Sequence, residues 1–286
     1  MAPRSSSVAE APAVGCHPTP VLLWAWLVAH RRLVAERNSR EDWRCSLDSS
    51  SGASLPPVGS GITTRIQIYG VTTRDDAVMS ARLGAHHVGV AVDEQGFAPD
   101  GVSVSDARAI LAVLPPSATR LALTLARDPD EVAYVASEVR PEILHVGADP
   151  DFVGPGHVER LRLRFPEIRF MRAVAVDGPA AVATAVEAAR VADFVLLDTR
   201  DQTIGKIGAT GRTHDWHLSA EIVRTVDTPV LLAGGLSADN VGEAIRIVRP
   251  WGVDSYSLTC VDGDLRRKDE DKVARFVAAV HKADCR

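Results

Sequence analysis

Pro229-Val230-Leu231-Leu232-Ala233-Gly234-Gly235-Leu236 is an apolar run that ends in a glycine pair, with Ser237 next and a helix-like segment beyond. A strand without polar alternation has both faces buried, as in a parallel sheet covered by helices. Phe194-Val195-Leu196-Leu197 reads the same way and closes on Asp198. Working outward, strand-like runs recur at Ile66–Tyr69, His87–Val92, Arg120–Thr124, Ile143–Val146, Arg169–Val174 and Val253–Ser255. Helix-like segments alternate with them, at about Arg74–Leu83, Ser105–Leu114, Pro129–Val139, His157–Phe165, Pro179–Ala189, His217–Thr225, Ala238–Val248 and Asp269–Lys282. Eight such units over this span predict an α/β fold, a (β/α)8 TIM barrel, whose usual size is about 250 residues. A doubly wound open sheet is the alternative, disfavoured because no GxGxxG turn follows the first strand.

The helix starts carry capping chemistry. Thr73 with Asp76 and Ser103 with Asp106 have capping-box spacing, in which each side chain satisfies an orphan backbone N–H. Asp128-Pro129 sets a cap before a proline whose missing N–H costs little there. Gly84 sits where a left-handed helix stop is expected. Residues 1–61 read differently: Ser, Pro and Gly cluster at 49–60, and the one apolar patch, Val21–Ala29, is too short to span a bilayer. We expect an N-terminal extension that is disordered or partly helical, followed by the barrel over 62–286.

The chain has 286 residues, 46% of them hydrophobic and 24% charged, the profile of an ordinary globular protein. A net charge of −5 offers no attraction to nucleic acid or an anionic membrane, so neither is an expected partner. Cys16, Cys45, Cys260 and Cys285 form no CxxC pair and no cluster at metal spacing. Reduced thiols in a cytoplasmic protein, with no metal and no cofactor, are expected.

In a barrel of this kind, side chains at the C-terminal strand ends converge on one mouth. That rule selects Tyr69, His145, Asp198, Gly234, Gly235, Asp254 and Ser257. Asp198, with an apolar strand behind it, is expected to have its ionised form desolvated and to serve as a general acid; the plainer role is a cap on the next turn. His145 either orients a substrate oxygen or is packed against backbone. Asp254 either contacts substrate or ties down its loop. The glycine turns Gly208–Gly211 and Gly234-Gly235, with the loop through Ser257, suggest a phosphate site, since glycine lets amides approach a ligand at a helix start. Lys206 in the first of these loops is either a lid residue or solvated.

These residues resemble the phosphoribosylanthranilate isomerase family, over about Arg65 to Val280. Ile66-Gln67-Ile68-Tyr69-Gly70-Val71-Thr72 is similar to the family's Lys-Ile-Cys-Gly-Ile-Thr, and Leu196-Leu197-Asp198-Thr199 to its sixth strand. Gly208-Ala209-Thr210-Gly211 followed by Asp215-Trp216, the run 233–241, Gly252-Val253-Asp254 and Lys268-Asp269 also follow family motifs. The resemblance implies an Amadori rearrangement of a phosphoribosyl amine, an aldose–ketose isomerisation within tryptophan biosynthesis. Asp198 is then the acid that protonates the furanose ring oxygen. His145 and Asp254 take the places of the family's histidine and last-strand aspartate, and Gly234 and Gly235 those of its phosphate glycines. A monomer or homodimer acting on a phosphorylated small molecule is implied.

Some positions depart from the pattern. The family's base, a cysteine, is Tyr69 here; a thiol titrates near about 8.5 and a phenol near about 10, so Tyr69 is the weaker supply of base at neutrality. The family's arginine for the anthranilate carboxylate is absent from 93–102, an acidic loop with no Lys or Arg. Leu258 replaces a glycine near Ser257. Three readings stay open: an isomerase of the family's type with an altered base, a barrel enzyme acting on another phosphorylated metabolite, and a non-catalytic ligand-binding relative.

Overall fold

The structure, a computed structural model, describes residues 63–96, 98–199 and 213–285. The extension and the glycine turn holding Lys206, Gly208 and Gly211 lie outside the described residues. Eight parallel strands close in chain order: β1 (Arg65–Ile68), β2 (His87–Val92), β3 (Thr119–Thr124), β4 (Ile143–Val146), β5 (Arg169–Ala175), β6 (Phe194–Asp198), β7 (Val230–Leu232) and β8 (Gly252–Ser255). A helix follows each: α1 (Arg74–Arg82), α2 (Val104–Leu111), α3 (Pro129–Val139), α4 (Pro155–Arg164), α5 (Ala180–Val191), α6 (Trp216–Thr225), α7 (Val241–Val248) and α8 (Glu270–Asp284). The TIM barrel expected from the apolar runs is the fold.

Alternation along the strands makes two cores. Ile66, Ile68, Val88, Val90, Val195 and Leu197 face outward into the helix layer with Val273 and Phe276. Tyr69, Leu121, Ile143, Met171, Phe194, Leu196, Leu231 and Ala233 fill the barrel itself. The end of the barrel where the strands begin is filled by His87, Phe194 and Trp251, whose ring centroids lie 5.4–6.1 Å apart. Arg169 places its guanidinium 5.4 Å from the Phe194 ring. Closure is made by β8 on β1, in a register that sets Gln67 beside Asp254 and Ile68 beside Ser255.

Local chemistry explains most element boundaries. Thr73 Oγ1 accepts from Asp76 N at 3.1 Å. The reciprocal half of that box is not made, because the Asp76 carboxylate instead accepts from the backbone N–H of Lys268 at 3.2 Å. Ser103 caps α2 in both senses, accepting from Asp106 N at 3.1 Å and donating to Asp106 Oδ2 at 2.8 Å. Gly84 takes φ +109°, the expected left-handed stop. Two differences stand out. Helix α7 starts later than its sequence suggests, at Val241 with Asn240 as N-cap. Ser237 accepts from Asp239 N at 3.2 Å, within the turn that precedes the helix. The segment after β8 forms a hairpin, β9 (Cys260–Val261) and β10 (Asp264–Lys268), turning at Gly263 with φ +78°. The charged Asp-Leu-Arg-Arg-Lys of β10 gave no apolar signal for it.

Closure leaves no room at Gly252, where an added Cβ would stand 2.9 Å from the backbone oxygen of Arg65. Gly252→Ala is therefore expected to cost about 1–3 kcal/mol, the usual range for overpacking. The measurement is a fall in the urea midpoint at unchanged slope; an unmoved midpoint would show that the seam is loose.

Candidate active site

Tyr69 follows β1 directly and donates its backbone N–H to Ser255 O at 3.1 Å, so the closing seam fixes its Cα. Its ring crosses the barrel over Gly89, where a Cβ would lie 2.8 Å from two ring carbons. The phenol oxygen ends 3.0 Å from His145 Nδ1 on β4. Both groups are almost fully buried, Tyr69 at 6% exposure and His145 at 4%. Burial pushes the phenol well above its ordinary value, with the charges of Asp254 and then Asp100 adding to the shift. Burial likewise lowers His145 to about 3, helped by Arg172. Phenol and imidazole are thus both neutral near pH 7, sharing one hydrogen bond. His145 lies within β4 rather than past its end, and its Nε2 has no hydrogen-bond partner among the described residues.

Two carboxyl groups flank this pair. Asp198 is the last residue of β6 and half-buried, its Oδ1 accepting from Thr199 N at 2.7 Å. Burial pushes it up to about 7, against the opposing pull of the Thr199 amide. Asp254, on β8 and 6% exposed, accepts at Oδ1 from Gln67 Nε2 at 3.1 Å. Burial raises it to about 8, followed by repulsion from Asp198; Gln67 and Lys268 act in the opposite direction. Gln67 is itself oriented by His87, whose Nδ1 lies 3.1 Å from Gln67 Oε1. Burial lowers His87 to about 3, so the ring is neutral. Its Nδ1–H must donate to the amide oxygen if the amide nitrogen is to face the carboxylate.

Beyond β7, Gly234 and Gly235 are consecutive left-handed residues, at φ +82° and +64°. A side chain at Gly234 would also stand 2.5 Å from Thr199 Oγ1 and 3.0 Å from His214 Nδ1. Asn240 holds the turn from both sides, accepting from Ser237 N at 2.8 Å and donating to Gly235 O at 2.9 Å. Among the described residues, no backbone acceptor takes the Gly234 or Gly235 N–H. His214 bridges Thr199 Oγ1 at 3.2 Å and Ser219 Oγ at 2.8 Å, packing the start of α6 against the same turn. Ser257 opens a 3-10 turn directly after β8.

The loop after β2 is less repulsive to anions than its composition suggests. Asp93 turns its carboxylate inward, accepting from the N–H groups of Gln95 and Gly96 at 2.9 and 3.0 Å and also from that of Ala98. Glu94 accepts from Val104 N at 3.2 Å. Arg266 of β10 reaches this loop, its Nη1 donating to Gly101 O at 3.2 Å. The hairpin thereby brings a guanidinium to a rim whose own sequence has none. Tyr256, with its ring against Gly70 and Asp100, fills the neighbouring space.

Tyr69, His145, Asp198, Asp254 and the Gly234–Gly235 turn thus gather at one end of the barrel, tied by contact or by mutual electrostatic influence. Sequence reasoning missed Gln67, His87, His214 and Arg266. Gln67 and His87 had a readable signal, a polar side chain at an inward position of an otherwise apolar strand. His214 and Arg266 had none, the first being placed by a loop and the second by the β9–β10 hairpin.

Eight parallel strands ringed by helices, with acids and a glycine turn at the C-terminal strand ends, define a (β/α)8 barrel of the acid–base enzyme type. Residues 157–279 match the family model described as N-(5′-phosphoribosyl)anthranilate isomerase. The protein of that name from Methanocella arvoryzae is 36% identical over 219 residues, covering 76% of this chain and 98% of that one. Among solved structures, a phosphoribosyl anthranilate isomerase in complex with reduced 1-(o-carboxyphenylamino)-1-deoxyribulose 5-phosphate superposes with a TM-score of 0.63 at 26% identity, over 77% of this chain and 99% of the other. Monomers generated from the dimeric enzyme of Thermotoga maritima give 0.62 at 26% identity, over the same shares. The chain belongs to the phosphoribosylanthranilate isomerase family.

The raised carboxyls make stability depend on pH in a defined sense. A carboxyl titrating higher in the folded than in the unfolded chain binds the extra proton when folded, so stability falls as pH rises through the interval between the two values. For Asp254 that interval runs from 3.8 to about 8. Asp254→Asn should therefore gain urea resistance over the parent at pH 8 and lose that gain at pH 4. An equal difference at both pH values would show that the carboxyl is not raised.

Proposed function

We propose that the chain isomerises N-(5′-phosphoribosyl)anthranilate to its 1-deoxyribulose form, as a step of tryptophan biosynthesis. The observation that carries this reading is Asp198, a carboxyl raised to about 7 beside a left-handed glycine turn. A group titrating near the working pH is an effective proton donor. The amides of Gly234 and Gly235 receive the substrate phosphate, with Ser257 assigned to the same group; Gly208 and Gly211, outside the described residues, are assigned to it from the sequence alone. Asp198 then reaches the furanose ring oxygen and protonates it as the ring opens. Proton loss at C2′ follows, giving an enolamine that ketonises.

In this scheme Tyr69 works as a neutral phenol. With His145 it forms the floor beneath the sugar and offers a hydrogen bond to substrate oxygens. Arg266, a cation in contact with the loop after β2, is suited to the anthranilate carboxylate. The substrate is a phosphorylated small molecule, the working unit a monomer or homodimer, and the setting cytoplasmic. No helix among the described residues is long and apolar enough to cross a membrane.

Asp198→Asn should lower kcat by about 10²- to 10⁴-fold, the usual span for a lost general acid, with the circular dichroism melt little changed. The gene should rescue a tryptophan auxotroph lacking this isomerase, and the Asp198→Asn gene should not. Wild-type protein without turnover at high concentration would end the reading. Arg266→Ala should raise KM for the carboxylated substrate more than it lowers kcat; an unchanged KM removes Arg266 from the binding site.

A further inference from the structure

The isomerase chemistry requires a base, and Tyr69 is poorly placed to be one. Its phenol is buried, hydrogen-bonded to a neutral imidazole, and within the influence of two carboxyls that oppose its ionisation. His145 fares no better: its Nε2 is buried without a partner among the described residues, and a ring that titrates near 3 is a weak acceptor. Among the described residues, the second carboxyl of the mouth, bonded to the Gln67 amide, is Asp254.

We propose that Asp254 is the base that removes the C2′ proton, with Gln67 and His87 as its positioning residues. This inference rests on the isomerase reading above. The chain from His87 Nδ1 to Gln67 Oε1 and from Gln67 Nε2 to Asp254 Oδ1, at 3.1 Å each, fixes the carboxyl on its strand. Among the described residues Asp254 is bonded at Oδ1 alone, by Gln67, and Oδ2 is offered to substrate. The charges facing Asp254 are Asp198 from β6 and Lys268 from β10, with the protonated Tyr69 beside it. An amide at position 67 holds the carboxyl without fixing its charge. A lysine there, as in the family's first-strand motif, would pair with it and keep it ionised. The replacement of that lysine by Gln67 and of the neighbouring cysteine by Tyr69 therefore read as two halves of one change, in which the thiol leaves and the carboxyl becomes able to exchange a proton.

The proton and electron balance closes on the two carboxyls. Asp198 gives its proton to O4′ as the C1′–O4′ bond breaks, and the nitrogen lone pair forms C1′=N. Asp254 takes the C2′ proton; the C2′–H electron pair becomes C1′=C2′, and the C=N π pair returns to nitrogen. On ketonisation the C2′ hydroxyl proton passes to Asp198, and the proton held by Asp254 goes to C1′. Both groups end as they began, and nothing is oxidised by an outside agent. The working form carries the proton on Asp198 and not on Asp254; with burial raising Asp198 to about 7 and Asp254 to about 8, it is the minor of the two singly protonated forms, and kcat should follow a bell-shaped pH profile set by the pair as a unit.

The test uses full-length protein and phosphoribosylanthranilate, unlabelled or deuterated at C2′. Asp254→Asn is expected to lose at least 10²-fold in kcat while still binding the reduced carboxyphenylamino-deoxyribulose phosphate, and Asp254→Glu to recover part of the loss. Gln67→Lys keeps the carboxylate but should move the acid limb of the kcat profile down by more than one pH unit. Tyr69→Phe should keep the wild-type limb. The proposal is overturned if Asp254→Asn stays within tenfold of wild type with the C2′ isotope effect intact, or if Gln67→Lys leaves the acid limb in place. Should Asp254→Asn fail to fold, the Gln67→Lys profile decides alone. Wild-type protein inert toward the substrate would overturn the isomerase reading and this inference together, whereas active wild type with active Asp254→Asn sinks the inference only.

Discussion

The pairing of β8 with β1 is the interaction on which the site depends. It closes the barrel, and its register sets Gln67 beside Asp254 while the Tyr69 N–H is held by Ser255 O. Strand side chains alternate between faces, so a slip of one residue would turn Asp254 outward into the apolar helix layer. Gly252 is the point where that seam has no slack, since Arg65 backbone occupies the space a side chain would need. The identity of the mouth is thus set at the join between the first and last strands, remote in sequence and adjacent in space.

Placing acids at the end of an apolar barrel has a cost that the structure meets in two ways. Isolated charges are expensive away from water, and groups so placed shift their titration toward the neutral form. Tyr69, His145 and His87 are all displaced in that direction. Asp198 and Asp254 are displaced as well, yet each keeps one hydrogen-bond donor, Thr199 N and Gln67 Nε2, that favours the ionised form. The result is a pair poised near neutrality, set among aromatic and imidazole rings that stay neutral. A site of this kind moves protons between its acids and leaves its aromatic residues to shape the cavity.

Much of this was legible in the sequence, for a physical reason. The barrel shows itself because each strand is buried on both faces and must be apolar, and because caps such as Thr73, Ser103 and Asp128 mark the helices by short-range bonds. Strand-end residues Asp198, Asp254 and the glycine pair followed from the barrel alone. What depended on loops did not follow. The β9–β10 hairpin carries few apolar residues, Ser237 and Asn240 build a turn before α7 that spacing does not specify, and Arg266 reaches the loop after β2 from far along the chain. The acidity of 93–102 was readable, but not that Asp93 spends its carboxylate on its own loop's amides. Tyr69 was visible as a departure, while its role depended on the phenol finding His145 three strands away.

The central claim is that the acids and the glycine turn serve one ligand. The most direct measurement is a crystal structure with reduced 1-(o-carboxyphenylamino)-1-deoxyribulose 5-phosphate bound. The account predicts the phosphate on the Gly234 and Gly235 amides, with the sugar carbons between the carboxyls of Asp198 and Asp254 and above the Tyr69 ring. A ligand seated elsewhere on the barrel, or one whose sugar meets neither carboxyl, would contradict it.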